Sequence, residues 1–421
     1  MRFSLLATLA SLALSRAATY GGFDDPWSFD LTQGSYNNWM HYIADGVSLA
    51  SLTIPGTHNS MTVNIRDDLM QSQNTDLAQQ LNGGIRYIDV SCMTMDNNLI
   101  VTHGDALTGY TFDYVLATLY QFLDRNPREA VILRIQKGNP LESSASLAAN
   151  IRRSLNPGTE LGNRAADRIF SRGGYNIDTI PTLGEVRGKV FILQDFDTSS
   201  GQFGLPWSSR LISYYHFKFG LKKLLKAKWL VVHSYFTLSL NSAEKLYVTD
   251  VTVSVGSRPI TFAAGPHIDP GMNARLGNYF QKADPSPRSR FSWGSNKGYF
   301  GVIVMDFPGK SLIEQLLKFN KRYEVVPPGF PAPTRPGFSP NPAFPPAPNY
   351  HGFPPSNAPP NYGAAYANGA APNYGAGQPY GQPNPGAYPP PGAYPPPGAY
   401  PPPGAYPPAG NHRDPSSSNS Q

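Results

Sequence analysis

Two histidines and two aspartates stand at matching places in the chain: His58 in Pro55-Gly-Thr-His-Asn-Ser60, Asp89 in Gly84-Ile-Arg-Tyr-Ile-Asp89, His103 in Val101-Thr-His-Gly104, and Asp306 in Gly301-Val-Ile-Val-Met-Asp306. Each follows or closes a short apolar run that reads as a β-strand. In α/β barrels the side chains that do chemistry sit at or just past the C-terminal ends of strands, so these four are expected at one mouth. Two imidazoles with pKa values near neutrality can serve one reaction as base and acid. That suits cleavage of a phosphodiester by a neighbouring hydroxyl, in which one ring takes the attacking proton and the other protonates the leaving alkoxide. A carboxylate behind an imidazole fixes its tautomer and stabilises its cation; Asp306 is the candidate for that role. Of the eight histidines, His41, His216, His233 and His267 lack such a setting, and His351 and His412 fall in a C-terminal tail.

The elements that must position these residues alternate between two periods. Leu49 to Ile54, Ile85 to Cys92, Leu99 to Thr102, Ala130 to Ile135, Lys189 to Leu193 and Gly301 to Met305 read as strands, and their continuous apolar character predicts parallel strands covered on both faces. Phe112, Val115, Leu116, Leu119, Tyr120 and Leu123 recur at helical spacing, with Thr111 as N-cap and Pro127 beyond the end. Ser311 to Asn320 predicts another helix. The pattern is that of β/α units, hence an α/β fold built as a TIM-like (β/α) barrel, distorted or incompletely closed. Between Trp229 and Ser254 strands cannot be assigned from the pattern.

Composition divides the 421 residues into three parts. Residues 1–17 carry Arg2, an apolar run from Phe3 to Leu14 and small residues after it, which reads as a secretory signal; the run is far short of the roughly 20 residues that cross a bilayer. Residues 18–325 form the expected barrel domain. Residues 326–421 are rich in Pro, Gly, Ala and Tyr, with Gly-Ala-Tyr-Pro-Pro-Pro repeats, and predict a disordered, partly polyproline-II tail with no apolar anchor at its end. Its spaced tyrosines suit contact with polysaccharide or protein. A single cysteine, Cys92, excludes a disulfide scaffold and reads as a packed, inert thiol. The net charge of +6 suits an anionic surface, but no Lys/Arg run is dense enough to indicate nucleic acid. The five lysines between Lys218 and Trp229, interleaved with apolar residues, read as a helix with a cationic face.

Ser51-Leu-Thr-Ile-Pro-Gly-Thr-His-Asn-Ser60, Gly84 to Asp89, Val101 to Gly104, Glu129-Ala-Val-Ile-Leu-Arg-Ile135 and Gly301 to Phe307, in this order and spacing, resemble the successive strand motifs of the phosphatidylinositol-specific phospholipase C X-domain superfamily. The resemblance spans about Val47 to Asn320. It implies that His58 is the base acting on the inositol 2-hydroxyl, that His103 is the acid for the diacylglycerol oxygen, and that Asp306 supports His58. Asn59 falls where bacterial members have an aspartate and calcium-dependent members a metal-binding asparagine. The pattern also departs from the family. Ser91 stands where metal-independent members have an arginine and calcium-dependent members a carboxylate, and Gln136 replaces a second metal-binding carboxylate. Two routes therefore stay open: a metal-free one, and one using Ca2+ at a partial site of Asn59 and Asp89. Arg134, which shares a strand face with Gln136, is a substitute for the missing arginine, with Lys137 as a second candidate. Asp195 occupies the place of an inositol-contacting arginine and suits a sugar hydroxyl, and Tyr215 aligns with a ring-stacking tyrosine. Asp89, Arg134, Asp195 and Tyr215 are the expected substrate-binding set.

The resulting expectation is a secreted, extracellular phosphoric diester hydrolase acting on phosphatidylinositol or a related phosphodiester at a membrane surface. Two alternatives are a catalytically degenerate protein that binds a phospho-headgroup, motivated by Ser91 and Gln136, and a matrix- or wall-associated protein that works through its tail. A glycerophosphodiesterase is disfavoured, since a His-Arg pair in the first motif and a Glu-x-Asp site in the second are both missing.

Overall fold

A computed structural model describes residues 18–215, 225–240, 243–253, 257–265, 270–283 and 299–325. The apolar leader, the tail after Val325, His216, His267 and most of the lysine-rich stretch lie outside the described residues. Contacts divide the chain into Met1–Ala365 and Tyr366–Gln421, and everything described belongs to the first unit.

An N-terminal hairpin, β1 (Ala18–Tyr20) and β2 (Phe23–Asp25), precedes the main body. There follow β3 (Thr53–Thr57), α1 (Leu77–Asn82), β4 (Tyr87–Met95), β5 (Asn98–His103), β6 (Ala106–Thr111), α2 (Phe112–Arg125) and β7 (Val131–Lys137). The chain then forms α3 (Ser144–Leu155), α4 (Glu160–Arg168), α5 (Leu183–Val186), β8 (Val190–Asp195), β9 (Leu205–Pro206) and β10 (Ile212–Tyr215). It finishes with α6 (Leu225–Ser239), β11 (Leu246–Asp250), α7 (Pro259–Ala263), α8 (Met272–Lys282), β12 (Gly301–Met305) and α9 (Lys310–Leu317).

Eight strands pair in parallel in the order β10-β11-β12-β3-β4-β7-β8-β9, and the β5–β6 hairpin is added antiparallel to the far half of β4. The sheet curls into a TIM-like barrel that no ladder closes between β9 and β10 among the described residues. Strand residues alternate between two apolar layers, as a period of two requires. Ile54, Tyr87, Ile132, Phe191, Leu193, Val248, Val302 and Val304 fill the interior. Ile88, Val90, Cys92, Leu133, Ile135, Ile192, Ile303 and Met305 pack outward beneath the helices.

Helix α2 starts where the sequence predicts: the Tyr114 N–H donates to Thr111 Oγ1 at 3.2 Å. The first strand is the clearest correction. Leu49–Ser51 is a single 3-10 turn capped by Ser48, and the strand runs from Thr53 through Pro55 and Gly56 to Thr57. Pro55 brings no N–H to this central strand, but its carbonyl accepts from the Arg86 N–H at 2.9 Å. Glycine is required next to it, since a Cβ at Gly56 would lie 2.8 Å from the Tyr87 ring. The stretch that resisted assignment holds α6 and β11. α6 leaves Leu230 and Leu238 exposed while burying Lys228, which blurs its amphipathic pattern and removes Lys228 from the expected cationic face.

Asp25 is buried beneath the hairpin, where its carboxylate accepts the Ser28 hydroxyl at 2.5 Å. Burial pushes its pKa up to about 6, against the hydrogen bonds from Ser28 and Trp27. A carboxyl raised in the folded state contributes stability that is full below its ordinary pKa of 3.8 and is lost as pH rises through 6. Asp25→Asn is therefore expected to have a higher Tm than the parent at pH 7.5, with the gap narrowing toward pH 4. Thermal unfolding monitored by circular dichroism at the two pH values checks this; a gap that widens toward pH 4 would contradict it.

Candidate active site

The inward-facing layer ends, at the C-terminal rim, in polar residues one step beyond the last apolar one. Leu246, Val248 and Asp250 share a face of β11 and its end, as Val302, Val304 and Asp306 do on β12. On β4 the step is Tyr87 to Asp89, on β7 Ile132 to Arg134 and Gln136, on β8 Leu193 to Asp195, and on β3 it leads past Gly56 to His58. The rim therefore gathers His58, Asp89, Arg134, Asp195, Asp250 and Asp306, with His103 brought in at the end of β5.

His58 Nδ1 and Asp306 Oδ1 are 3.0 Å apart. Burial by itself would lower the pKa of this imidazole, but the Asp306 carboxylate and the hydrogen bond to it, helped by Asp250 and Asp89, push it up to about 9. Asp306 is 3% exposed and His58 opens only 14% of its side chain to solvent, so little water screens the pair. In the neutral ring, with Nδ1–H given to Asp306, Nε2 presents its lone pair, which the Asn59 amide contacts at 2.9 Å. The residues following both members of the pair have left-handed backbones, Asn59 at φ 43° and Phe307 at φ 47°. These conformations cost about 1 to 3 kcal/mol each and turn the chain sharply off the strand end.

His103 donates from Nδ1 to the Met70 carbonyl at 2.7 Å. The two imidazole rings lie 5.9 Å apart between centroids and 77° from coplanar. Each is thus oriented through Nδ1 by a protein acceptor, and the rings stand side by side at one place.

The expected binding residues divide. Asp89 Oδ1 accepts from Gln136 Nε2 at 2.6 Å and faces Arg134 Nη1 at 3.5 Å, and Arg134 Nη2 donates to Asp195 Oδ2 at 2.5 Å. The Arg134 guanidinium lies 4.1 Å from the Trp207 ring centroid and 5.1 Å from that of Tyr214. Burial favours its neutral form, but Asp89, Tyr87 and Asp195 outweigh this and raise its pKa. Asp89, Arg134 and Asp195 are therefore one linked group. Tyr215 is not part of it: its ring packs outside the sheet against Tyr235 of α6, at 5.3 Å, and against the Lys228 ammonium at 5.5 Å. Adjacent strand residues point to opposite faces, so the tyrosine facing Arg134 is Tyr214. Lys137 ends β7 one residue beyond Gln136 and so takes the opposite face.

The residues present do not fit calcium. Asn59 and Asp89 are 3.5 Å apart, backbone N to Oδ2, but the Asp89 carboxylate already faces an amide donor and a guanidinium. The neighbouring positions are Ser91 and Gln136, paired across β4 and β7, and supply no anionic oxygen where a hard dication wants several. Among the described residues no group of three or more His, Cys, Asp or Glu side chains is arranged to hold a metal ion.

The sequence reading missed Asp250, Trp207 and Tyr214. Asp250 had a legible signal, since Leu246-x-Val248-x-Asp250 repeats the apolar-apolar-acid step of Val302-x-Val304-x-Asp306. Trp207 and Tyr214 had none: they meet Arg134 only because β9 and β10 are brought to the open seam of the barrel.

Residues 52–195 match the family model described as "Phosphatidylinositol-specific phospholipase C, X domain". Over 304 residues the chain is 28% identical to the 1-phosphatidylinositol phosphodiesterase of Listeria monocytogenes, covering 67% of this chain and 84% of that protein. The Staphylococcus aureus protein of the same name is 24% identical over 178 residues, 41% of this chain and 55% of its own length. Among solved structures, the Listeria monocytogenes phosphatidylinositol-specific phospholipase C superposes with a TM-score of 0.54 at 25% identity, covering 68% of this chain and 98% of that one. The Staphylococcus aureus phosphatidylinositol-specific phospholipase C gives 0.54 at 16% identity, covering 69% and 99%, a likeness of fold.

Proposed function

The chain is a member of the phosphatidylinositol-specific phospholipase C-like family, and from that premise we propose that it cleaves phosphatidylinositol or a related phosphodiester by general acid–base catalysis between His58 and His103. The observation that carries this reading is the pair of rings 5.9 Å apart, each tethered through Nδ1 by a protein acceptor.

In this reaction the inositol 2-hydroxyl attacks phosphorus while His58 Nε2 accepts its proton. The bond to the diacylglycerol oxygen breaks as His103 gives that oxygen its proton, leaving a cyclic inositol phosphate. Asp306 holds the tautomer of His58 and stabilises the imidazolium. Arg134 provides the positive charge that an arginine at position 91 would have provided, steadied by Asp89 and Asp195. Losing one group that stabilises developing charge typically costs about 2.7 to 4 kcal/mol of barrier, so a barrel that relies on Arg134 is expected to turn over slowly. Asp195, 29% exposed, is taken to accept a hydroxyl of the sugar. In the same reading the chain is exported and meets its substrate at a membrane surface. Leu69 and Leu141, 52% and 94% exposed, follow β3 and β7 at the mouth end and support that placement. No helix of the described residues is long and apolar enough to cross a membrane.

A second reading, binding of a phospho-headgroup without turnover, is favoured by Ser91 and by the Asn59 amide that occupies His58 Nε2. Incubating the purified protein with phosphatidylinositol vesicles, with calcium and with chelator, and following water-soluble phosphate separates the two. Release that is equal in both conditions is expected. Release only with calcium would overturn the metal-free route, and vesicle or inositol-phosphate binding with no release would favour the second reading. The tail-based alternative concerns residues outside those described.

A further inference from the structure

Three strand ends deliver the reactive groups: β3 brings His58, β5 brings His103 and β12 brings Asp306. All three touch the same four consecutive residues. The Met70 carbonyl accepts the His103 Nδ1–H at 2.7 Å. The Ser72 carbonyl accepts the backbone N–H of Phe307, next to Asp306, at 3.0 Å. The Gln73 carboxamide donates through Nε2 to the carbonyls of His58, at 2.8 Å, and Met305, at 3.0 Å. The segment is itself held by Thr62 Oγ1, which accepts the N–H groups of Ser72 at 3.0 Å and Gln73 at 3.2 Å while donating to the Asn59 carbonyl at 2.9 Å.

Ser72 and Gln73 are fully buried. The carbonyls of Met305 and His58 lie where β12 and β3 run out, at and one residue past the last ladder pair of Met305 with Thr57. Beside the His58 N–H, which donates to the Met305 carbonyl at 3.0 Å, one amide group ties the two ends at the point where the backbone turns into the left-handed residues Asn59 and Phe307. A buried carbonyl that loses its donor carries a desolvation cost, so the tie resists being broken by small movements of either strand.

We infer that Gln73 is a positioning residue for this chemistry: by bridging the His58 and Met305 carbonyls it keeps His58 on Asp306, and through the Met70–Gln73 segment it sets the spacing of the two imidazoles. The inference rests on the acid–base reading above. Without the amide, the two strand ends keep only the backbone bond from the His58 N–H to the Met305 carbonyl, and the reacting geometry loosens even though the barrel core is intact. Misplacement by about 1 Å is enough to cost about 10²-fold in rate.

The test uses the full chain with Gln73→Leu and, in case that variant does not fold, Gln73→Asn, whose amide is one methylene too short to span both carbonyls. Two quantities are read. Steady-state cleavage of phosphatidylinositol is expected to lose about 10- to 100-fold in kcat with KM within about threefold of the parent. In variants labelled with 15N-histidine, the downfield Nδ1–H proton resonance of His58 in its bond to Asp306 is expected to broaden or vanish. A folded variant with parental kcat and an unchanged His58 resonance overturns the inference, as does a loss confined to Tm. If the parent itself shows no turnover, the acid–base reading fails, and the histidine resonances still decide whether Gln73 holds the pair.

Discussion

His58→Ala and His103→Ala should each lower cleavage of phosphatidylinositol by about 10² to 10⁴-fold, the range for loss of one positioned proton-transfer group. The double variant is expected to fall by less than the product, because base and acid act in one step and one missing partner already disables it. The pH profile provides a sharper check. As the proposed base, His58 would act only when its Nε2 is unprotonated, and its carboxylate neighbours hold its pKa at about 9, so kcat/KM should climb with pH toward that value. Asp306→Asn removes the first of the groups that raise it, so the rising limb should move to lower pH while the maximum rate drops. Rates that are unchanged in either alanine variant, or a limb that does not move in Asp306→Asn, would refute the assignment.

The second large effect concerns stability at the opposite end of the barrel. Glu129→Ala is expected to cost about 3 to 5 kcal/mol, since it leaves a buried guanidinium without its counter-charge. Arg86 and Glu129 are 0% and 1% exposed and meet at 2.8 Å. Arg86 also donates to the carbonyls of Leu81, Ile85 and Tyr36, lies 4.6 Å from the Phe122 ring centroid, and faces a carboxylate whose other oxygen accepts the Met40 N–H at 3.0 Å. The pair thus ties the chain entering the barrel floor to β4 and β7. Denaturant unfolding should show the midpoint falling with little change in slope. Loss of less than about 1 kcal/mol would mean that the pair is not an essential tie.

Legibility followed the range of the interactions. Thr111 could be read as the cap of α2 because cap and helix are neighbours, and the outer layer of β7 was visible because a parallel strand covered on both faces must be apolar throughout. The step from strand to strand end was also readable, which is how His58, His103, Asp89 and Asp306 were found together. Tyr215 was misread because the difference between facing Arg134 and facing α6 is one residue of register, and only the pairing of β10 with β11 sets that register. Lys228 reads as one more surface lysine until α6 is packed against the sheet.

The amino-acid order by itself determined the class of fold, the polar strand ends and the two imidazoles proposed to perform the chemistry, because period, caps and strand-end polarity are local properties of the chain. Tertiary structure put Asp306 against His58, a contact the sequence offered only as a candidate, and alone decided that Arg134 is held by Asp89 and Asp195 beneath Trp207 and Tyr214 and that one glutamine bridges two strand ends. Those pairings join residues up to 248 positions apart, such as His58 and Asp306, and rest on which strands become neighbours when the barrel curls. No short stretch of sequence encodes that choice, since it is made by burying all the apolar faces together.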